Sequence, residues 1–566
     1  MKVYAKNIGE ISLNNTNYIS SGGEGNIYAK NNMAYKIYND PSKVISEGKI
    51  TELSVLTKPN IIKPEYSILD KNNNRIGYSM RFIKDTFSLC QLFTRSFKER
   101  NNINQDKIQF IIKELYDIID HVHSNKILIV DCNELNFLVS NSFSEVFSID
   151  VDSFQTPHYH ATALMESIRD RHCINNSFNE NTDWFAFAII SFQIFIGVHP
   201  YKGKYSKDTA MSLDDRMIKN LSIFNKNVSV PKVCYPLNSI PQSYKDWYKA
   251  VFDDGKRFPP PKDFQGAIVI SIKPTKINGT DNFDINLYEE YDGTVLDIYH
   301  SGGIRAALTN KKLHINAGKN LNVSSNVKII TSQKSDNIIL AKTESGKLKL
   351  FNTESNKEIN CNIFASDIMV YNNNLYIKCS DSILELQLNE IGQNILPSTL
   401  VIGTVLENSS KLYDGVIIQD LLGACYVSIF PTSKIHKQIH IKELDGAKIL
   451  DAKYSKNVLM IVAIKKAEKT YSRFVIRIDK DSSYYIREIV NITPSGLNFV
   501  VLDNGVCICL TEEEELELFS SSKNSSSIKI INDPILSGDM KLFYAGGKTY
   551  FAKDNKLYSM TMKAKQ

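Results

Sequence analysis

The 566 residues are 43% hydrophobic, 23% charged and 10% aromatic, an ordinary globular composition too long for one core, so two or more domains are expected. A formal charge of +5, from 67 basic against 62 acidic residues, is mild and spread out and gives no sign of a nucleic-acid face. Nine cysteines without paired CxxC spacing argue for reduced thiols rather than a zinc site or disulfide framework, and no apolar run approaches the ~18 residues of a membrane span.

The opening MKVYAKNIGEISL lacks the apolar core of a secretory signal. Strand, turn and strand follow: Asn17-Tyr18-Ile19 leads into Ser20-Ser21-Gly22-Gly23-Glu24-Gly25, then Asn26-Ile27-Tyr28-Ala29, a polar turn, and Met33 to Tyr38. Glycines in such a hairpin let backbone N–H groups approach phosphate oxygens, although a plain β-turn would use them too. Lys36, flanked by apolar residues, is either a snorkelling surface lysine or one aimed at a phosphate. Helical spacing covers Ser46 to Leu56, with Ile50, Leu53 and Leu56 on one stripe. Glu47 and Glu52 on this helix point about 140° apart, so only one can face a given partner. Strand-like runs at 61–69 and 76–83 come next, and the spacing predicts a long amphipathic helix over 105–124.

The stretch from Ile127 to Phe154 carries the chemistry. An apolar strand-like run, Ile127 to Val130, leads into Asp131; Asn136 follows, then strands at Phe137–Val139 and Val146–Ile149, the second ending in Asp150. Two carboxylates and an amide at strand ends suit magnesium-assisted phosphoryl transfer, in which one carboxylate orients a hydroxyl while the amide and second carboxylate hold the metal. Asp183 to Phe195 reads as an almost wholly apolar, buried helix with Asp183 capping its start.

The glycine turn, Lys36, Asp131, Asn136, Asp150 and Asp183 together resemble the motifs of protein kinases over about residues 10–265, most closely bacterial and phage serine/threonine protein kinase-like proteins. The abundance of Asn, Ile and Lys suits an AT-rich genome of that kind. The resemblance implies an α+β bilobal fold over residues 1–272, with an N-lobe of about 1–83 and a C-lobe of about 84–272. It implies ATP and Mg2+ as cofactors, with Gly22, Gly23, Gly25 and Ile27 over the nucleotide, Lys36 on its phosphates and Met80 at the hinge. Asp131 is then the catalytic carboxylate, Asn136, Asp150 and Asp152 are metal ligands, with a plain capping carboxylate as the alternative for Asp152, and Glu47, with Glu52 as alternative, positions Lys36. There are departures. Ser20 replaces the first loop glycine, Ile129-Val130 replace the His-Arg before the catalytic Asp, and Val151-Asp152 replace the Phe-Gly after the metal Asp. The lost Arg is the usual partner of a phosphorylated activation segment. No Ala-Pro-Glu occurs; Glu166 is its loose stand-in, and Arg257 is expected to pair with an acidic partner such as Glu166.

Past Pro274 short alternating strands take over. Seven strand–turn–strand units, beginning at 304, 338, 368, 416, 459, 498 and 541, recur at roughly the 40-residue period of a four-stranded blade. A seven-bladed β-propeller over 273–566 is expected, with a β-sandwich pair as the alternative. The run Glu512–Glu517 is expected as a solvated turn or edge, with contact to a basic partner as the alternative. The whole reads as a cytoplasmic, ATP- and Mg-dependent serine/threonine protein kinase whose all-β half recruits a protein substrate or adaptor. A pseudokinase scaffold, binding a partner without phosphoryl transfer, is the alternative. Nothing in the sequence sets the oligomeric state.

Overall fold

The computed structural model describes residues 1–563 apart from 6–7, 174, 176, 209, 232, 266–278, 301–303, 317, 324–325, 393, 466–469, 495 and 521–527. The expected boundary near residue 272 lies outside the described residues. Seven strands open the chain as one antiparallel sheet: β1 (Lys2–Ala5), β2 (Gly9–Ser12), β3 (Tyr18–Ser21), β4 (Gly25–Lys30), β5 (Met33–Tyr38), β6 (Tyr66–Leu69) and β7 (Arg75–Arg81), in the order β2-β1-β6-β7-β5-β4-β3. Alternation along β5 sends Tyr35 into an apolar cluster with Val3, Tyr18 and Ile68, and turns Lys36 and Tyr38 to the opposite face. Helix α1 (Glu47–Leu53) crosses that opposite face; the Ser46 hydroxyl caps it by accepting from Lys49 N.

The helical lobe follows. Strand β8 (Thr86–Ser88), α2 (Arg95–Arg100) and α3 (Gln105–Ser124) precede the hairpin β9 (Phe137–Ser140) and β10 (Val146–Ser148), and α4 (Glu180–Ile196), α5 (Leu213–Ile218) and α6 (Gln242–Phe252) complete it. Helix α3 has the bounds its periodicity predicts. Helix α4 is apolar all round and is buried throughout from Asp183 to Ile196, with Phe192 packed edge-on to Tyr248 and Phe252. Its cap is Asn179 in a capping box with Thr182, not Asp183, which lies inside the first turn and points elsewhere. The run from Ile127 to Val130 forms no strand, only a single bridge from Leu128 to Gln155.

His199 sits in the turn after α4, its Nε2 2.9 Å from the Ser167 carbonyl oxygen and its Nδ1 accepting from Tyr201 N. Burial pushes its pKa down to about 3. The unfolded chain therefore binds a proton that the folded chain refuses between about pH 3 and the ordinary histidine value. Stability is full above that window and should fall by about 1.4 kcal/mol per pH unit on its account as the pH drops through it. Urea unfolding midpoints between pH 7 and 4 should fall less steeply in His199→Asn than in wild type.

The second half contains, among the described residues, seven four-stranded antiparallel sheets, which the seven sequence repeats mark one for one. Six are sequential, spanning 295–322, 328–359, 367–404, 410–440, 447–489 and 499–532. The seventh is composite, with Phe283–Glu290 pairing Lys556–Met562 of the chain's last three strands. First strands lie against one another: Lys328–Thr331 on Asp367–Tyr371, Asp367–Tyr371 on Ser410–Leu412, and both Phe499–Val501 and Val295–His300 on Lys541–Ala545. The acidic run makes a turn at Glu512–Glu513, with Glu513 exposed, leads into the strand Glu515–Phe519, and meets basic partners. Glu512, in the turn, is buried against Arg473 at 2.8 Å, and Glu517, on the strand, meets Arg487 at 3.0 Å.

The halves share a core. Leu450, Val462, Ile464, Tyr471 and Ile492 of the all-β half belong to the same apolar cluster as the helical lobe. Gln91 Nε2 donates to the Leu450 carbonyl (3.0 Å) and Arg100 meets Asp451 (3.1 Å). The upper sheet is tied in too: the Tyr18 hydroxyl donates to Asp420 Oδ1 at 3.0 Å. All nine cysteines are unpaired, and no helix among the described residues is long and apolar enough to cross a membrane.

Candidate functional site

Strand β5 places Lys36 on the underside of the N-terminal sheet, where its Nζ lies 2.9 Å from Asp150 Oδ1 and 2.6 Å from Asp152 Oδ2. Gly25, directly before Asn26 on β4, has no room for a Cβ, which would overlap the Ile37 carbonyl oxygen of β5. Glu24 in the same turn reaches Lys36 at 3.3 Å. Burial opposes the ammonium, yet Tyr78, Asp152 and Asp150 hold Lys36 well above the ordinary lysine value.

Asp152 is not placed as a metal ligand. It is 2% exposed, and its Oδ2 accepts from Lys36 and Tyr38 while Oδ1 accepts from Tyr78, each at 2.6 Å. These bonds outweigh burial and hold its carboxyl below the ordinary value. Asp152 is thus the counter-ion that orients Lys36. Glu47 does not do this work: it is exposed on the outer side of α1. Glu52 instead reaches His158 at 2.6 Å. The buried charged residue of α1 is Lys49, which feels the Asp152 and Glu24 charges and is pushed below the ordinary lysine value by burial. A lysine on the helix and a carboxylate after Asp150 have exchanged the polarity that the sequence suggested.

The loop of 131–136 is fixed from behind by Asp183. Its Oδ2 and Oδ1 accept from the backbone N–H groups of Ile129 and Val130, both at 2.8 Å, and Oδ2 also lies 2.9 Å from His123 Nε2. Val130 has φ +63°, a strained setting for a β-branched residue costing on the order of 1–3 kcal/mol, which these bonds sustain. Asp183→Ala leaves two buried N–H groups and His123 without their acceptor. It should cost about 2–4 kcal/mol of stability, read by urea unfolding.

Ahead of this brace, Asn136 Nδ2 donates to the Asp131 carbonyl (2.9 Å), leaving its Oδ1 available. Asp131 Oδ1 accepts from Met165 N at 2.7 Å, and Oδ2 lies 3.4 Å from Asn136 Nδ2. Asp150 adopts the left-handed conformation, φ +59°, at the end of the loop after β10 and stands 38% exposed at the cleft. The surrounding protein and then the Asp152 charge push its carboxyl above the ordinary value, against the pull of Lys36. Asn136 Oδ1 and the free Asp150 Oδ2 are hard oxygen donors. A pair of this kind fits Mg2+, which takes one or two protein oxygens and completes its shell with phosphates and water. Among the described residues no group of three or more His, Cys, Asp or Glu could hold a metal on its own.

Lys36, Met80, Asp131, Asn136 and Asp150 all line one cavity of about 2740 Å³, as do Gly22, Gly23, Gly25 and Ile27. The cavity continues onto the all-β half at Asp297, Lys411 and Lys541. Arg257 does not pair with Glu166. It holds Asp170 through Nε at 2.6 Å and Nη2 at 2.8 Å, while Glu166 faces Arg169 and Arg171. Two residues escaped the sequence reading. Asp170 sits in a segment with no periodicity to mark it, and Gly77 on β7 admits no Cβ against the Lys36 carbonyl oxygen.

No protein-family model matches the chain. Ribosomal protein S6 kinase alpha-2 of Mus musculus is 22% identical over 196 residues, covering 34% of this chain and 26% of that protein, and its Homo sapiens counterpart gives the same figures. The chain thus spans 26% of the length of the curated relatives it matches. Among solved structures, the Cydia pomonella granulovirus kinase PK-1 aligns over 43% of this chain and 86% of its own, at 15% identity and a TM-score of 0.32. The sequence similarity supports a protein-kinase-like fold for the region it covers.

Proposed function

We propose that the protein is an ATP- and Mg2+-dependent serine/threonine protein kinase whose all-β half, read as a seven-bladed propeller, recruits the substrate or an adaptor. The observation that carries it is the convergence of Lys36 and Asp150, 2.9 Å apart, on the cavity that also holds Asp131 and Asn136. In this reading Lys36 holds the nucleotide phosphates, Asn136 Oδ1 and Asp150 hold the metal, and Asp131 Oδ2 accepts the hydrogen bond of the substrate hydroxyl. Bound Mg2+ would supply charge neutralisation on the phosphates. Gly22, Gly23, Gly25 and Ile27 cover the nucleotide and the backbone at Met80 meets the adenine. The propeller reading rests on the composite seventh sheet and on Val295–His300 lying against Lys541–Ala545.

A second reading, the pseudokinase scaffold, draws on two observations: α1 presents Lys49 where a kinase has a glutamate, and Met165 N already occupies one oxygen of Asp131. Calorimetric ATP titration with and without Mg2+, alongside autophosphorylation of wild type and Asp150→Ala, separates the two. Magnesium-dependent binding with phosphorylation lost in Asp150→Ala supports the kinase. Absence of nucleotide binding in both proteins leaves the scaffold.

A further inference from the structure

The catalytic loop has a second side, turned away from the cleft. Glu134, three positions after Asp131, is 3% exposed and points into the seam between the halves. There its Oε1 accepts a 2.5 Å hydrogen bond from the hydroxyl of Tyr471, on the strand Tyr471–Ile478 of the fifth sheet. Its Oε2 is buried without a partner. Lys202 is near enough to feel the Glu134 charge, but its Nζ makes a 3.4 Å bond to the Ile492 carbonyl instead. The Tyr471 hydroxyl is therefore the side-chain partner that anchors this carboxylate. The loop around it is stiff: Asn133 N donates to the Asp131 carbonyl at 2.8 Å, Asn133 Oδ1 accepts from Leu135 N at 2.8 Å, and Asn136 N donates to the Asn133 carbonyl at 3.1 Å. A displacement at Glu134 is transmitted to both ends of so short and so bonded a turn.

We propose that Tyr471 is a positioning residue for the catalytic loop: by fixing the Glu134 carboxylate it sets where Asp131 and Asn136 stand in the cleft, so that phosphoryl transfer depends on seating of the all-β half. The proposal rests on the kinase reading above for its consequence in turnover, and on the contact alone for its consequence in loop order. Tyr471 touches no reacting atom. Burial pushes the Glu134 carboxyl up, so the bond it makes with Tyr471 lies in a dry setting where a missing donor is felt.

The test uses the full-length protein with ATP as the probe. Tyr471→Phe removes the hydroxyl and keeps the ring in its apolar contacts. Magnesium-dependent ATP affinity should stay at the wild-type value while turnover falls by about 10- to 100-fold, the scale of a small misplacement of a catalytic group. Glu134→Met, which removes both carboxylate oxygens at similar volume, and the double variant close a cycle: if Tyr471 acts through Glu134, the two losses are not additive. Gln91→Ala cuts another bond across the same seam, to the Leu450 carbonyl, and should leave turnover unchanged. Wild-type turnover in Tyr471→Phe, additive losses, or an equal loss in Gln91→Ala would each overturn the proposal. If wild type turns over no ATP, the kinase reading fails by itself, and hydrogen exchange still decides this one. Backbone amides 131–136 should exchange faster in Tyr471→Phe than in wild type or Gln91→Ala, and unchanged exchange refutes the coupling.

Discussion

Asp131→Asn should lower phosphoryl transfer by ~10²- to 10⁴-fold, the range of a lost general base, while ATP affinity stays at the wild-type value. The substitution is isosteric, and the geometry dictates how the amide settles. Met165 N donates to one oxygen of Asp131, so the Asn carbonyl must take that place. The amide NH2 then faces Asn136 Nδ2 and the cleft, offering a donor where the substrate hydroxyl needs an acceptor. Single-turnover rates with saturating Mg-ATP read the loss directly. A variant that loses nucleotide affinity in the same proportion would show that Asp131 supports the pocket instead of the chemistry.

Lys36→Met should destabilise the fold by about 3–5 kcal/mol, the cost of removing one partner of a buried ion pair, and should abolish nucleotide binding. Asp152 is the reason: at 2% exposure it would keep only the Tyr38 and Tyr78 hydroxyls against a full charge. In wild type the Asp152 carboxyl lies below its ordinary value, so its contribution is present above that value and is lost as the pH falls through the depressed one. In Lys36→Met the unpaired carboxyl rises, the folded chain takes up a proton first, and the deficit should shrink as the pH falls toward 5. Urea midpoints at pH 8 and pH 5 measure this. Adding Asp152→Asn to Lys36→Met should restore much of the stability and none of the nucleotide binding. A single variant as stable as wild type at pH 8 would show that Lys36 is no structural partner of Asp152.

The residues at the ends of apolar runs were legible. Lys36 breaks the apolar pattern inside β5, Asp131, Asn136 and Asp150 each stand at the edge of an apolar run, and the structure brings all four to one cavity. Helix α3 was legible to its ends because its apolar stripe is unbroken. The charge partners were not. A glutamate and a lysine on a short helix look equally solvated in sequence, and only the packing of α1 shows that Lys49 turns inward while Glu47 turns out. Asp152 read as a metal ligand because its neighbour Asp150 read as one; the two tyrosines that enclose it come from β5 and β7, more than 70 residues earlier. Arg257 chose Asp170 over Glu166 by the path of an irregular segment that carries no periodicity. Tyr471 lies 337 residues from Glu134, and no local pattern announces such a contact.

The bond from Tyr18 to Asp420 has one more implication. The glycine turn hangs from β3, so the upper jaw of the cleft is leashed to the same body that Gln91 and Arg100 bind from below. A jaw leashed at both lips cannot gape widely, and in the kinase reading the nucleotide is expected to enter and leave the cleft at a pace set by how often that tyrosine lets go.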